Sequence, residues 1–116
     1  MSPSKVRLVK KTSIQILVDR AVARIARRFR PDKVILFGSH ARGDATPESD
    51  IDLLVIMEFE GSKLDKMVEL REALGGIDVP MDLLLTTPED FEWRKQIVGT
   101  IEWPAFREGK VVYARA

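Results

Sequence analysis

Lys33-Val34-Ile35-Leu36-Phe37-Gly38-Ser39, followed after a polar stretch by Ser49-Asp50-Ile51-Asp52-Leu53-Leu54-Val55-Ile56-Met57, decides how this chain folds. Lys33 to Phe37 is a short apolar run stopped by Gly38, the pattern of a buried strand. Ile51 to Met57 is almost wholly apolar after Asp52, which predicts a central strand covered on both faces. Between them Ser39 to Ser49 is polar and holds Gly43, Asp44, Pro47 and Glu48, so it reads as a loop.

Upstream, Ile14, Leu17, Val18, Ala21, Val22, Ile25 and Phe29 recur at spacings of three and four, which predicts an amphipathic helix. Thr12 or Ser13 can cap it, and Pro31 ends it at Arg30. Ser2 to Lys11 reads as a loose basic lead-in. Arg20, Arg24, Arg27, Arg28 and Arg30 fall largely outside the apolar stripe, as a solvated helix face or, alternatively, a partner surface. Downstream, Gly61-Ser62 breaks the chain, and Leu64, Met67, Val68, Leu70 and Leu74 predict a second helix ending at Gly75-Gly76. Val79 to Leu85 reads as a third strand. Thr87 as cap, Pro88 in the first turn and Glu89 and Asp90 at the positive end of the dipole predict a third helix. It is expected to run to about Thr100, with Lys110 to Tyr113 a last short strand. Trp93 and Trp103 are expected to pack in the core, with an exposed docking region as the alternative. The order predicts an α+β (α/β-like) fold, a small mixed sheet with helices packed mainly on one face.

The chain has 116 residues, 45% of them hydrophobic and 32% charged, which suits one domain over residues 1–116 with a core of its own. It has no Cys, which excludes disulfides, thiolate catalysis and Cys-ligated zinc. His40 is the only imidazole, a poor basis for a multi-His metal site or a His-driven triad. No apolar run approaches the ~18 residues of a membrane-spanning helix. Neither membrane association nor a signal peptide is expected, and a cytoplasmic location follows.

The formal net charge of +1 conceals an asymmetry. Residues 1–43 carry 11 Lys and Arg against 2 Asp and Glu, whereas residues 44–92 carry 3 against 14. Such a distribution is unlike that of a uniformly basic nucleic-acid binder, so direct nucleic-acid binding is not expected. The acidic centre is either solvated surface or a site that needs a counter-cation.

Three features favour the second reading. Gly38-Ser39 directly after a strand lets backbone approach a ligand and presents N–H groups to phosphate, although alone it reads as a tight turn. Asp50 and Asp52 are two apart on a strand, so both carboxylates project to one face while Ile51 enters the core. Two like charges so close suit a hard cation such as Mg²⁺ completed by substrate phosphates. Asp82 lies inside the apolar run Val79 to Leu85, where an acid is costly unless paired or metal-bound. Pro80 allows the alternative of a solvent-facing acid on an edge strand. Together they describe a two-metal phosphoryl-transfer site.

Gly38-Ser39-His40-Ala41-Arg42-Gly43 and Ser49-Asp50-Ile51-Asp52-Leu53-Leu54-Val55 resemble the Gly-Ser-x10-Asp-x-Asp signature of the DNA polymerase β-like nucleotidyltransferase superfamily. The Ala-Arg-Gly and Ser-Asp-Ile-Asp-Leu variants are similar to those of the minimal nucleotidyltransferases, the MntA-type antitoxins. The resemblance implies that Asp50, Asp52 and Asp82 are catalytic and hold two Mg²⁺ ions, with Asp82 helping to activate an acceptor hydroxyl. It implies that Gly38 and Ser39 bind the nucleoside triphosphate. Arg42 is a candidate phosphate clamp, or else a structural partner of Asp44 or Glu48. Ser49 is a candidate for the nucleotide site that caps or orients the loop, and His40 is left as a loop residue. The implied activity is transfer of AMP from ATP to a hydroxyl. The implied acceptor is a tyrosine of a HEPN-domain toxin encoded by an adjacent gene. An antibiotic nucleotidyltransferase and a non-catalytic antitoxin module are the alternatives.

Overall fold

The computed structural model describes residues 12–116; the basic lead-in Ser2 to Lys11 lies outside them. Helix α1 spans Ser13–Phe29 and is capped by Thr12. The Thr12 hydroxyl accepts from the Gln15 N–H at 3.1 Å while Thr12 N–H donates to the Gln15 side chain at 2.8 Å, a reciprocal capping box. It ends before Pro31, with Arg30 in the left-handed region (φ 49°). Strand β1 (Lys33–Phe37), the short helix α2 (Ser39–Arg42) and strand β2 (Ile51–Ile56) follow. Helix α3 (Lys63–Ala73), strand β3 (Met81–Thr86), helices α4 (Pro88–Arg94) and α5 (Glu102–Glu108) and strand β4 (Lys110–Ala114) complete the chain.

The sheet order is β3-β2-β1-β4. β1 runs antiparallel to both neighbours, whereas β2 and β3 are parallel and joined through α3. Side-chain alternation divides the core in two. Val34, Ile51, Leu53, Val55, Leu83 and Leu85 pack with Val18, Val22, Ile25 and Leu70 beneath the long helices α1 and α3. Ile35, Phe37, Leu54 and Ile56 turn the other way, against Phe91 of α4 and Ala105 of α5. The long helices thus lie on one face, as expected, and the second face carries only two short ones. Among the described residues no helix is long and apolar enough to cross a membrane.

Four expectations are corrected. The segment after Gly38 is not loop throughout, because Ser39–Arg42 closes a helical turn. β3 starts at Met81 rather than Val79: Val79 N–H is turned back to the Ile77 carbonyl (3.2 Å), and Pro80 has no N–H to offer a ladder. The helix after Thr87 stops at Arg94 and does not reach Thr100. There the Thr100 hydroxyl bonds the Arg94 and Ile97 carbonyls, each at 2.9 Å, Gly99 takes a positive φ, and Thr100 then accepts from Trp103 N–H (3.2 Å) to start α5. Finally, Trp93 is 55% exposed rather than in the core, while Trp103 is half-buried beneath the Arg107 guanidinium.

The arginine face of α1 is partly structural. Arg24 donates to the Gly75 and Ala73 carbonyls, placing a cation at the negative end of α3. Arg20, Arg27 and Arg28 remain exposed.

Candidate active site

The strand alternation that buries Ile51 completely sends Asp52 to the face carrying the short helices. Asp52 stands opposite Phe37 on β1 and, in the parallel register, opposite Asp82 on β3. Asp82 lies near enough to add its negative field at the Asp52 carboxyl. Asp50 sits at the end of the loop entering β2, exposed, and adds its field to theirs. Burial pushes the Asp52 carboxyl above its ordinary range; Asp82 and then Asp50 push it further, and His40 pulls the other way. Asp82 is exposed on an edge strand, as the solvent-facing alternative expected, and its register partner is Asp52.

Gly38 follows β1 with φ 75° and lies directly against Asp52. A Cβ there would collide with the Asp52 carboxylate, so only glycine lets the turn and the acid coexist. Ser39 opens α2, half-buried, and its carbonyl accepts from Gly43 and Asp44 N–H at 3.0 and 3.1 Å, which tightens the turn.

Arg42, at the end of α2, is occupied by acids: Asp44 and Glu108 each lie 3.2 Å from its guanidinium. Of the expected partners Asp44 is present, and Glu108 of α5 takes the place of Glu48. Ser49 lies in the loop, where its hydroxyl accepts from Thr46 N–H at 2.9 Å and its N–H donates to the Thr46 carbonyl at 3.0 Å. Its own carbonyl meets His40 Nε2 at 3.1 Å. His40, expected to be a loop residue, lies in α2 and ties that turn to the loop immediately before Asp50. The available signal was its place, an imidazole one residue after Ser39 and ten before Asp50.

Asp52 and Asp82 offer hard oxygen donors that repel each other, with Asp50 beside them, and two of the three are solvent-facing. That donor set fits a divalent cation whose remaining ligands come from phosphate. Among the described residues no three His, Asp or Glu side chains converge into a ready cage.

The nucleotidyltransferase domain family matches residues 18–105, a span that takes in every candidate residue above. The chain belongs to this family. It is a minimal nucleotidyltransferase of the polymerase β-like superfamily, an enzyme whose substrate is a nucleotide. A Methanocaldococcus jannaschii protein is 36% identical over 87 residues, which covers 74% of this chain and 82% of that one. The name that protein carries, a provisional one, is protein adenylyltransferase. Among solved structures, a provisionally named nucleotidyltransferase from Sulfolobus solfataricus superposes with a TM-score of 0.63 at 22% identity, over 86% of this chain and 79% of its own. A toxin–antitoxin crystal structure with AMP-PNP superposes with a TM-score of 0.56 at 19% identity, over 83% of this chain and 73% of that chain. Both share the fold of this nucleotidyltransferase.

Proposed function

We propose that this nucleotidyltransferase moves AMP from ATP to a tyrosine hydroxyl of a partner protein, a HEPN-domain ribonuclease toxin encoded beside it, and so serves as a cytoplasmic antitoxin. The observation that carries the reading is Asp52 facing Asp82 across the parallel register, with the Gly38 backbone pressed against Asp52. The adenylyltransferase name of the Methanocaldococcus relative supports the reaction, and the toxin–antitoxin neighbour with AMP-PNP supports the setting.

Asp50, Asp52 and Asp82 would hold two Mg²⁺ ions, which when bound offset the charge of the attacking and leaving oxygens. Gly38 and Ser39 cradle the triphosphate, and Arg42 lies on the same turn within reach of phosphate charge. Asp82, at the exposed edge, receives the acceptor's proton as its oxygen forms a bond to the α-phosphorus and the bond to pyrophosphate breaks. His40 and Ser49 fix the loop so that Asp50 enters β2 in register. An AMP group on the toxin adds a phosphodiester charge and a bulky nucleoside, which would repel and obstruct an RNA backbone.

Mass spectrometry of the co-expressed neighbour tests this. The expected result is an AMP increment on a toxin tyrosine, absent with Asp50→Asn. An unmodified toxin held in a tight complex would instead show neutralisation by contact, and transfer to an aminoglycoside-like hydroxyl would show a small-molecule enzyme.

A further inference from the structure

The two edges of the sheet are finished differently. β4 begins with the exposed Lys110 and pairs with β1 through a register shift between Val34 and Ile35, so it has the charge and the irregularity that discourage a further strand. β3 closes the other side and runs in unbroken register with β2 from Met81 to Thr86. The Pro80 carbonyl accepts from Ile51 N–H and the Thr86 carbonyl from Met57 N–H, each at 3.0 Å, so the even-numbered residues turn their backbone toward β2. Alternation then turns the N–H and C=O groups of Met81, Leu83 and Leu85 outward. Among the described residues no strand pairs with them.

That edge lies along an apolar trough. On the α3 side, Leu74 and Ile77 border a hollow of about 160 Å³ against Met81 and Leu83. Further along, Leu64 and Met67 of α3 and Ile101 at the start of α5 border a second, of about 380 Å³, against Leu84 and Leu85. Leu64 is 73% exposed and Val68 of the same helix 49%, so the trough is open to a partner. Asp82 interrupts this apolar run on the opposite face from Met81 and Leu83, the face that carries Asp52. The open edge and the acid cluster therefore share one strand.

We propose that the acceptor hydroxyl is presented on an extended peptide segment that adds to the outer edge of β3 as a further strand. The inference rests on the nucleotidyl-transfer reading, in which Asp82 receives the acceptor's proton. Strand addition supplies affinity through main-chain hydrogen bonds and specificity through alternate side chains. The residue in register with Asp82 shares its face, so a tyrosine there extends past the Asp82 carboxylate over the acid cluster. Its two neighbours point the other way, into the trough beside Met81 and Leu83. A residue three away falls beside Leu85 and the second hollow. The segment that fits this edge is thus a tyrosine with aliphatic residues one and three positions away. On transfer the tyrosine oxygen bonds the α-phosphorus, its proton passes to Asp82 and pyrophosphate leaves.

The probe is a short peptide of alternating threonine and valine with a central tyrosine. It is compared with N-acetyltyrosinamide, which has the hydroxyl and no strand, each offered to the full chain with ATP and Mg²⁺. The peptide is expected to accept AMP with a KM at least about tenfold lower, the scale of one or two net main-chain hydrogen bonds. N-methylation of every second peptide residue should abolish that advantage in one phase and spare it in the other, because only alternate N–H groups face β3. Leu64→Glu, at an exposed position outside the acid cluster, should raise the peptide KM about tenfold and leave N-acetyltyrosinamide and ATP unchanged. A peptide no better than N-acetyltyrosinamide, an equal effect of both methylation phases, or an unchanged peptide KM in Leu64→Glu overturns strand addition and leaves nucleotidyl transfer standing. So does a wild-type dimer that Leu64→Glu separates, since a second copy would then occupy the edge. Absence of AMP on the peptide, on N-acetyltyrosinamide and on the co-expressed neighbour overturns both.

Discussion

Two carboxylate sites occupy opposite ends of the same sheet face, and the fold treats them in opposite ways. At the far end Glu102 is only 3% exposed; the Thr86 hydroxyl donates to one of its oxygens at 2.8 Å and the Arg94 guanidinium to the other at 3.1 Å. A buried charge so partnered acts as a joint that fastens α4 and α5 to the end of β3. At the near end Asp52 faces Asp82, with Asp50 adding to the same negative field. Like charges facing each other destabilise the free protein and favour a cation-bearing ligand. One acid is finished within the fold, and on the proposed reading the others are left for a substrate to finish.

Exchanging charge for amide at each end gives the largest expected contrast. Asp52→Asn should reduce transfer by about a thousandfold or more, since it removes a proposed metal ligand and nothing else supplies that charge. Without metal it should melt no lower than the wild type, and higher if the repulsion is fully relieved. Glu102→Gln should do the reverse. Leaving the Thr86 and Arg94 donors with a poorer, neutral partner should cost about 1–3 kcal/mol of stability, while transfer per folded molecule is unchanged. Thermal melting beside AMP transfer separates the two; an Asp52→Asn variant that unfolds early would contradict the assignment of repulsion to this end.

Two glycines refine the comparison at the near end. Gly38 and Gly43 flank α2 with φ of 75° and 87°, so alanine at Gly43 carries the left-handed penalty of about 1–2 kcal/mol and at Gly38, whose ψ is −157°, a strain of about 1–3 kcal/mol. They differ in what a methyl group meets: the Asp52 carboxylate at Gly38, and nothing within 4 Å at Gly43. Gly38→Ala should therefore lose both stability and transfer, and Gly43→Ala stability alone. Equal activity losses in the two variants would make the defect one of turn geometry rather than of a displaced Asp52.

The near end was legible in the sequence because its logic is local. Period-two alternation places Asp52 on the face opposite Ile51, and the apolar flanks of Asp82 place it on a strand beside them. The far end was not legible, because Glu102 is buried by a contact with Thr86 that no local pattern announces. The break between α4 and α5 depends on which carbonyls the Thr100 hydroxyl reaches, and α4 ends one residue after the exposed Trp93. The tie from His40 to Ser49 was not legible for the same reason: its partner is a backbone carbonyl, which leaves no residue-type signature.

Titration gives a smaller and slower-varying effect. Asp52 has its carboxyl raised in the folded chain by burial and by Asp82, so the native state holds its proton more tightly than the unfolded state does. Such a group contributes stability that is fully present below the unfolded carboxyl range and is lost as pH rises through the higher folded value. The advantage of Asp52→Asn over the wild type in melting temperature, measured without metal, should therefore be full at neutral pH and shrink as pH falls toward the ordinary carboxyl range. Transfer should fade over the same acid window, because a protonated Asp52 no longer attracts a cation. A melting difference that is constant across that window would remove the shared field from the account.

The smallest effect is expected at Arg42, the residue that joins the near end to α5. Its guanidinium is already matched by Asp44 and Glu108, and all three side chains are substantially exposed. Exposed ion pairs contribute little to stability, so Arg42→Ala should leave the melting temperature unchanged. On the proposed reading, a triphosphate arriving at Gly38 and Ser39 must compete with two carboxylates for this cation and gains only the difference. The KM for ATP should rise about two- to threefold, with kcat unaltered, and the change should diminish as salt screens the exposed charges. Glu108→Gln removes one competitor and should lower KM by a similar factor, a direction that a purely structural pair would not produce. A rise of tenfold or more in Arg42→Ala would instead make Arg42 the principal phosphate clamp, with the acids serving to hold it in place until the nucleotide binds.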